Sequence, residues 1–527
     1  MKQVLLSHNP YKVKTQICVD NEEPKQNSLS FMVIEPAKGE YKRIFGHKKS
    51  VKVFGTNPVY TELLKINPFR FPPGIHVLEH VDRLVEIFNV CWEMYAAMPA
   101  ILKEAVLKSY EICGWNLSTS KSVISNTLYP SFQDLLEQLE QVIDDSGYSD
   151  EVKSNYKGSL ITRVKSLTNG LNGMIFNLNE IDNHILFDTN VIVDLSRIGS
   201  QETKSLLMGI LVMRLSEHRM TYSKESNSKL KHVTVLEEAH NILRNIRNSS
   251  SSTTEDGGSM AAKSVEMISN AIAEMRTYGE GFVIADQSPN AVDISAIRNT
   301  NTKIIMRLPE ESDRRIAGKA AALKEEQLDE IAKLPKGVAV VYQNDWIEPV
   351  LCQVEKYEGI EKNYEKRDSA VCDADNRKSK ILLINWIARN RLDNPDKVTI
   401  QEIEWGIENA DCSVETKIKL YALRNEYKKN GKLKLWQQKA FLNQAKLVSD
   451  ILNQDEIVAK AKRISSDMIS FNYCLNSMIA QQLETPSDEE ILCVSHCLIK
   501  VYSESAIDGK KYYQEWYNEV IERGYLI

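Results

Sequence analysis

Two adjacent carboxylates close the stretch Val233-Thr234-Val235-Leu236-Glu237-Glu238-Ala239-His240. Four strand-type residues precede them, so Glu237 and Glu238 fall where a strand ends. At the carboxyl edge of a doubly wound sheet, such side chains face a ligand crevice. One acid there can hold Mg2+ through its water shell, and the next can orient and deprotonate an attacking water, as nucleotide hydrolysis requires. A strand followed by a helix whose first turn favours acids gives the same letters without chemistry. A metal-dependent nuclease using Glu237, Glu238 and His240 is a further, weaker reading, because His240 follows Glu238 by only two positions.

Two other strand ends carry polar groups. Val33-Ile34-Glu35-Pro36-Ala37-Lys38-Gly39-Glu40-Tyr41 opens from a strand into a charged loop, and Gly281-Phe282-Val283-Ile284-Ala285-Asp286-Gln287 delivers an uncharged amide to a strand end. Gln287 could sense a terminal phosphate or place a water, although ordinary turns also end in this way.

The elements that must hold these groups follow from the apolar pattern. Residues 1–30 are polar, and Phe31 to Ile34 form a short buried strand that breaks at Glu35-Pro36. From about Pro58 to Asn183 the apolar spacing is helical. ILFDTNVIVDLS then supplies one or two strands, TKSLLMGILVMRLSEHRM a strongly apolar helix and HVTVLEEAH a strand. A helix around 261–277 precedes the runs GFVIADQ, KIIMRL and GVAVVYQ. Apolar strands alternating with helices predict an α/β fold with a parallel sheet covered on both faces. The stretch RNIRNSSSSTTEDGGSM, from Arg244 to Met260, reads either as a plain surface loop or as a mobile loop facing a partner or a pore. Beyond about Glu365 only helical patterns remain. The expected organisation is therefore 1–57 as the N-terminal part of the α/β core, 58–183 as a helical insertion, 184–365 as the main core and 366–527 as an all-helical domain.

Composition sets wider limits. The chain has 527 residues, 43% hydrophobic and 26% charged, which excludes wholesale disorder. A net charge of -6 shows no basic coat, so any nucleic-acid path must be a local patch or a shared pore. The nine cysteines are scattered, with only Cys493 and Cys497 one helical turn apart around His496, and buried free thiols in a reducing cytosol are the expectation. No run of eighteen apolar residues and no signal-peptide pattern occurs, so the expected location is cytoplasmic, without a membrane.

Taken together, the order and wording of these motifs resemble the HerA branch of the HerA/FtsK ATPases. VIEPAKGEY is similar to that family's second-strand motif, VLEEAH to its Walker B motif, and AEMRTYGEGFVIADQSP to its arginine-bearing helix and sensor strand. MPAILKEAVLKSYEICGW, NYKGSLITRVKSL, VIVDLS and IRNTNTKIIMRLPEESDRR agree, so the resemblance spans about Phe31 to Val350. It implies a RecA-like sheet binding ATP and Mg2+, with Glu237 as the magnesium-side acid, Glu238 as catalytic base and Gln287 as sensor. Glu35 would lie at the site's edge, with Lys38 beside it. Arg276 would neutralise charge on the transferring phosphate, in its own subunit or across an interface. Arg298 is a second arginine candidate, with an ordinary surface role the alternative. A homo-oligomeric ring, hexameric by resemblance, would carry double-stranded DNA and work with a nuclease or other effector in DNA processing or anti-phage defence.

One part of that machinery is missing from these residues. A phosphate cradle of the form G-x-x-x-x-G-K-[ST] occurs nowhere, and residues 1–30 contain no glycine. The first, P-loop strand and the small β-barrel that precedes it in HerA-like proteins are likewise not found. Three readings follow: a companion chain carrying the Walker A loop, a degenerate ring that organises an effector without hydrolysing ATP, or an altered gene start. A sheet lacking its first strand would leave a position open for a partner to cover.

Overall fold

The computed structural model describes residues 3–6, 29–223, 227–246, 255–357, 361–367, 370–389, 398–431, 433, 441–483 and 486–522. Its strands, in chain order, are β1 (Gln3–Leu6), β2 (Ser30–Glu35), β3 (Val51–Gly55), β4 (Glu62–Leu63), β5 (Trp115–Asn116), β6 (Lys121–Ser122), β7 (Asn190–Asp194), β8 (His232–Glu237), β9 (Glu280–Asp286), β10 (Thr302–Ile305), β11 (Val338–Gln343) and β12 (Val350–Gln353). Ten of them form one sheet in the order β12-β11-β10-β1-β9-β8-β2-β7-β3-β4.

From β9 to β4 every neighbour is parallel, giving a six-stranded parallel sheet. Its central strands β2, β7 and β8 are buried almost throughout, as a sheet covered by helices on both faces demands. The helix Gln201–Tyr222 is buried over most of its length. It packs closely on the helix Val77–Cys91 because Gly209 presents no side chain: a Cβ there would stand 2.7 Å from Ile87 Cγ2.

The expected all-parallel arrangement fails at the other side, where β10, β11 and β12 are successively antiparallel. The connection 344–349 is too short for a parallel crossover, so β11 and β12 can only form a hairpin. The sheet position expected to stand open is also filled. β1 lies between β9 and β10, antiparallel to both. A second difference concerns ILFDTN, where only NVIVD is strand. Asn183–Asp188 is a short helix, whose start is fixed by Asp182 Oδ1 accepting from the His184 amide at 2.7 Å.

The chain divides into two compact units, 1–109 with 131–367, and 110–130 with 368–527. The first holds the sheet. In the second, eight helices among the described residues, from Ala370–Arg389 to Gly509–Glu522, bury Trp386 and Trp516, and the β5–β6 hairpin region joins them through Thr127 Oγ1, which donates to Glu408 at 2.8 Å. Cys493 and Cys497 are buried there, while His496 is hydrogen-bonded to the Tyr513 hydroxyl at 2.7 Å. Residues 247–254, the middle of the polar stretch singled out above, lie outside the described residues, and its last part opens the helix Glu255–Met275 rather than a loop. No helix among the described residues is long and apolar enough to cross a membrane.

Candidate functional site at the carboxyl edge of the sheet

Register puts the acids in a row. Glu35 of β2 is paired with Asp194 of β7, and Ile34 with Leu236 of β8, so Glu35 and Glu237 also share a rung. With strands about 4.8 Å apart, three carboxylates from distant parts of the chain end their strands side by side. All are at most 2% exposed. Burying three acids together is costly unless each finds a partner, and each does.

Glu35 closes the turn that follows its own strand. Lys38 and Gly39 both adopt left-handed backbone, φ 64° and 65°. This folds the chain back so that the Glu40 amide donates to Glu35 Oε1 at 2.7 Å and the Tyr41 amide to Oε2 at 3.2 Å. The Gly39 amide donates to the Ala37 carbonyl at 2.8 Å. Three successive amides are thus spent inside the turn, so it is not a phosphate-binding nest. Lys38 points outward, its ammonium 3.9 Å from the exposed Glu40 carboxylate.

The same turn delivers two residues to the neighbouring acids. The Tyr41 hydroxyl donates to Glu237 Oε1 at 2.7 Å, and Lys42 pairs with Asp194 Oδ2. Burial first, then the Glu237 carboxylate, pushes the Tyr41 phenol far above its usual range, so it remains a donor. Asp194 Oδ1 also accepts from the Ser196 amide at 3.0 Å. Composition and spacing did not single out Tyr41, Lys42 or Asp194. The one available signal was that VIVDLS, like VLEEAH, ends an apolar strand in an acid.

Glu238 stands just beyond the rung, in left-handed backbone at φ 48°. Its Oε1 accepts from Gln287 Nε2 at 2.6 Å, so the two polar strand ends meet. On its other side His240 Nδ1 is 3.8 Å from Glu238 Oε2 and 2.9 Å from Asp286 Oδ2. The hydrogen bond with Asp286 raises the His240 pKa above the ordinary value against the opposing effect of burial. Glu238, His240 and Asp286 could share one metal ion, since one ligand atom of each lies within 4.8 Å of the others.

The arginines stand apart from this group. Arg276 precedes β9 at its amino end, whereas Gln287 follows its carboxyl end, and the seven-residue strand between them spans roughly 20 Å. Arg276 is exposed, as is Arg298 on the helix Ile294–Asn299. The chain therefore brings together Glu35, Glu237, Glu238 and Gln287 but not Arg276.

A parallel sheet with helices on both faces and polar groups gathered at its carboxyl edge defines a RecA-like α/β fold, here with a helical C-terminal region. No protein-family profile matches the sequence. Among curated proteins it is 24% identical over 226 residues to a DNA double-strand break repair helicase HerA of Sulfolobus acidocaldarius, covering 42% of this chain and 43% of that one. It is 23% identical over 298 residues to the same-named protein of Sulfurisphaera tokodaii, covering 56% and 55%. The match spans about half the length of these relatives. Distant solved structures include VirB4 of Thermoanaerobacter pseudethanolicus, at TM-score 0.47 and 14% identity over 63% of this chain and 82% of that one. Another is the plasmid coupling protein TrwB in complex with ADP and Mg2+, at 0.41 and 13% over 63% and 80%. Over about half its length the chain is thus similar to HerA helicases.

Proposed function

We propose that this chain is the acid-bearing part of a HerA-type ATPase that moves double-stranded DNA. It would work as a homo-oligomeric, hexameric ring with a nuclease or other effector in DNA processing or anti-phage defence. The observation that supports this most is the contact of Gln287 with Glu238 beside the buried row Glu35, Glu237 and Asp194. When bound, ATP with Mg2+ supplies the phosphoanhydride to be hydrolysed. Glu237, fixed by Tyr41, suits the hydration shell of the metal. Glu238 keeps Oε2 to take the proton of a water while Gln287 holds Oε1, and Gln287 can turn its carbonyl to the same water.

The phosphate side is different. The amides of the turn 38–41 are engaged internally, so the residues that fit the metal and the water do not also fit the phosphates. On this reading a Walker A loop comes from a companion chain, and Lys38, exposed at the same edge, is placed to meet it. That same geometry favours the second reading, a HerA-like scaffold that organises an effector without hydrolysing ATP. DNA-stimulated phosphate release separates the two. Wild type mixed with its genomic neighbour's product should release phosphate, and Glu238→Gln in the same mixture should fall at least about a hundredfold. Equal background rates for both would leave the scaffold reading.

A further inference from the structure

We propose a second, separate site on this chain, a transition-metal site formed by His184, Asp188 and His218 at the amino edge of the sheet. His184 and Asp188 are one helical turn apart on the short helix Asn183–Asp188, and His218 projects from the helix Gln201–Tyr222. Asp188 Oδ2 lies between the two rings, 2.7 Å from His184 Nδ1 and 3.0 Å from His218 Nε2. The ligand atoms of all three fall within 4.8 Å of one another. β7 separates this cluster from the acid row, about 15 Å away by strand length, so it is no part of the carboxyl-edge site.

Three features distinguish it from a chance meeting of polar side chains. The other carboxylate oxygen, Asp188 Oδ1, accepts from Arg219 Nη1 at 2.6 Å, the outer-shell bond that aims a ligating carboxylate. The rings of His184 and His218 meet edge to face at 4.9 Å, with Tyr222 about 5 Å from each. His218 Nδ1 is buried without a hydrogen-bond partner, so nothing behind that ring fixes which nitrogen carries its proton. On binding a cation, Nε2 would exchange its hydrogen bond with Asp188 for the metal, its proton passing to Nδ1.

The donor set selects the metal. Two imidazoles and one carboxylate suit Zn2+ or a neighbouring transition dication rather than Mg2+ or Ca2+, which take oxygen ligands. Tetrahedral Zn2+ needs its ligands about 3.3 Å apart, so each histidine nitrogen would move off Asp188 Oδ2 by about 0.3–0.6 Å. His184 and Asp188 face solvent, which leaves the fourth position to water. Such an ion would clamp the short helix before β7 to the end of the long helix beside it.

The test is titration of the metal-stripped full chain with Co2+, then displacement by Zn2+. One equivalent of Co2+ should give visible ligand-field bands and be displaced by Zn2+. His184→Gln, which alters an exposed ligand, should weaken binding at least about tenfold, whereas His240→Gln should not change it. Undiminished binding in His184→Gln, loss in His240→Gln, or a thiolate charge-transfer band would overturn the proposal. Zn2+ protection of His184 from diethyl pyrocarbonate, read by peptide mass spectrometry on wild type, tests the site without a variant, and unprotected His184 at saturating Zn2+ would also overturn it.

Discussion

Glu280 is a fully buried acid at the amino end of β9, at the opposite end of that strand from Gln287. It accepts from Arg219 Nε at 2.8 Å, from His232 Nδ1 at 2.8 Å and from Thr234 Oγ1 at 2.7 Å. Replacing it by Gln keeps the shape, removes the charge, and leaves one amide facing two donors that previously met a carboxylate. Removing one partner of a buried pair costs about 3–5 kcal/mol. Arg219 still reaches Asp188 and the Phe187 carbonyl, so the lower end, about 3 kcal/mol, is expected. Urea unfolding of wild type and Glu280→Gln at pH 7, followed by a probe of the sheet-bearing unit, measures this. The pH dependence supplies a sign. Burial raises the Glu280 pKa, but His232 and Arg219 outweigh it, so the folded value lies below the unfolded one. The carboxylate's contribution is thus complete above the unfolded carboxyl range and is lost as pH falls through the folded value. The gap between the two proteins should be widest near neutrality and shrink below about pH 4. A cost under about 1 kcal/mol at pH 7, or a gap that widens in acid, would refute the account.

Other perturbations follow from single contacts. Gly209→Ala should destabilise by about 1–3 kcal/mol, because Ile87 Cγ2 cannot swing away, and a double-mutant cycle with Ile87→Ala should recover part of the loss. Tyr41 should stay protonated as alkaline pH ionises exposed tyrosines, so Tyr41→Phe should leave the ultraviolet tyrosinate titration of the folded protein unchanged up to about pH 11. If Arg276 serves a neighbouring copy, mixing Arg276→Ala with Glu238→Gln should restore activity at roughly a quarter of the interfaces of a random assembly, measured as phosphate release. No recovery would rule out the arginine's action across copies.

The acids at the strand ends were legible because an apolar run that stops at a carboxylate is a local pattern, and the alternation of strands with helices gave the α/β class. Which acids stand together was not legible. The rung joining Glu35, Asp194 and Glu237 depends on register among strands up to about 200 residues apart, and Tyr41 and Lys42 matter only once that register is set. Ile185 to Asp188 reads as strand from its apolar residues, yet Asp182 caps it as helix, a signal outweighed by the β-type letters beside it. The separation of Arg276 from Gln287 follows from strand length alone. Both residues sit in one continuous motif, whose nearness in sequence conceals their distance in space.

That separation means that a site shared by Arg276 and Glu238 needs a second copy, and symmetry decides how many such sites form. A twofold pair would make the contact twice, each copy's arginine against the other's acid, and would close after two copies. A head-to-tail arrangement makes it once at each interface. Such a contact leaves an unused edge at each end of every chain of copies. It ends only when the rotation per copy divides the full circle, and otherwise continues as a helical filament.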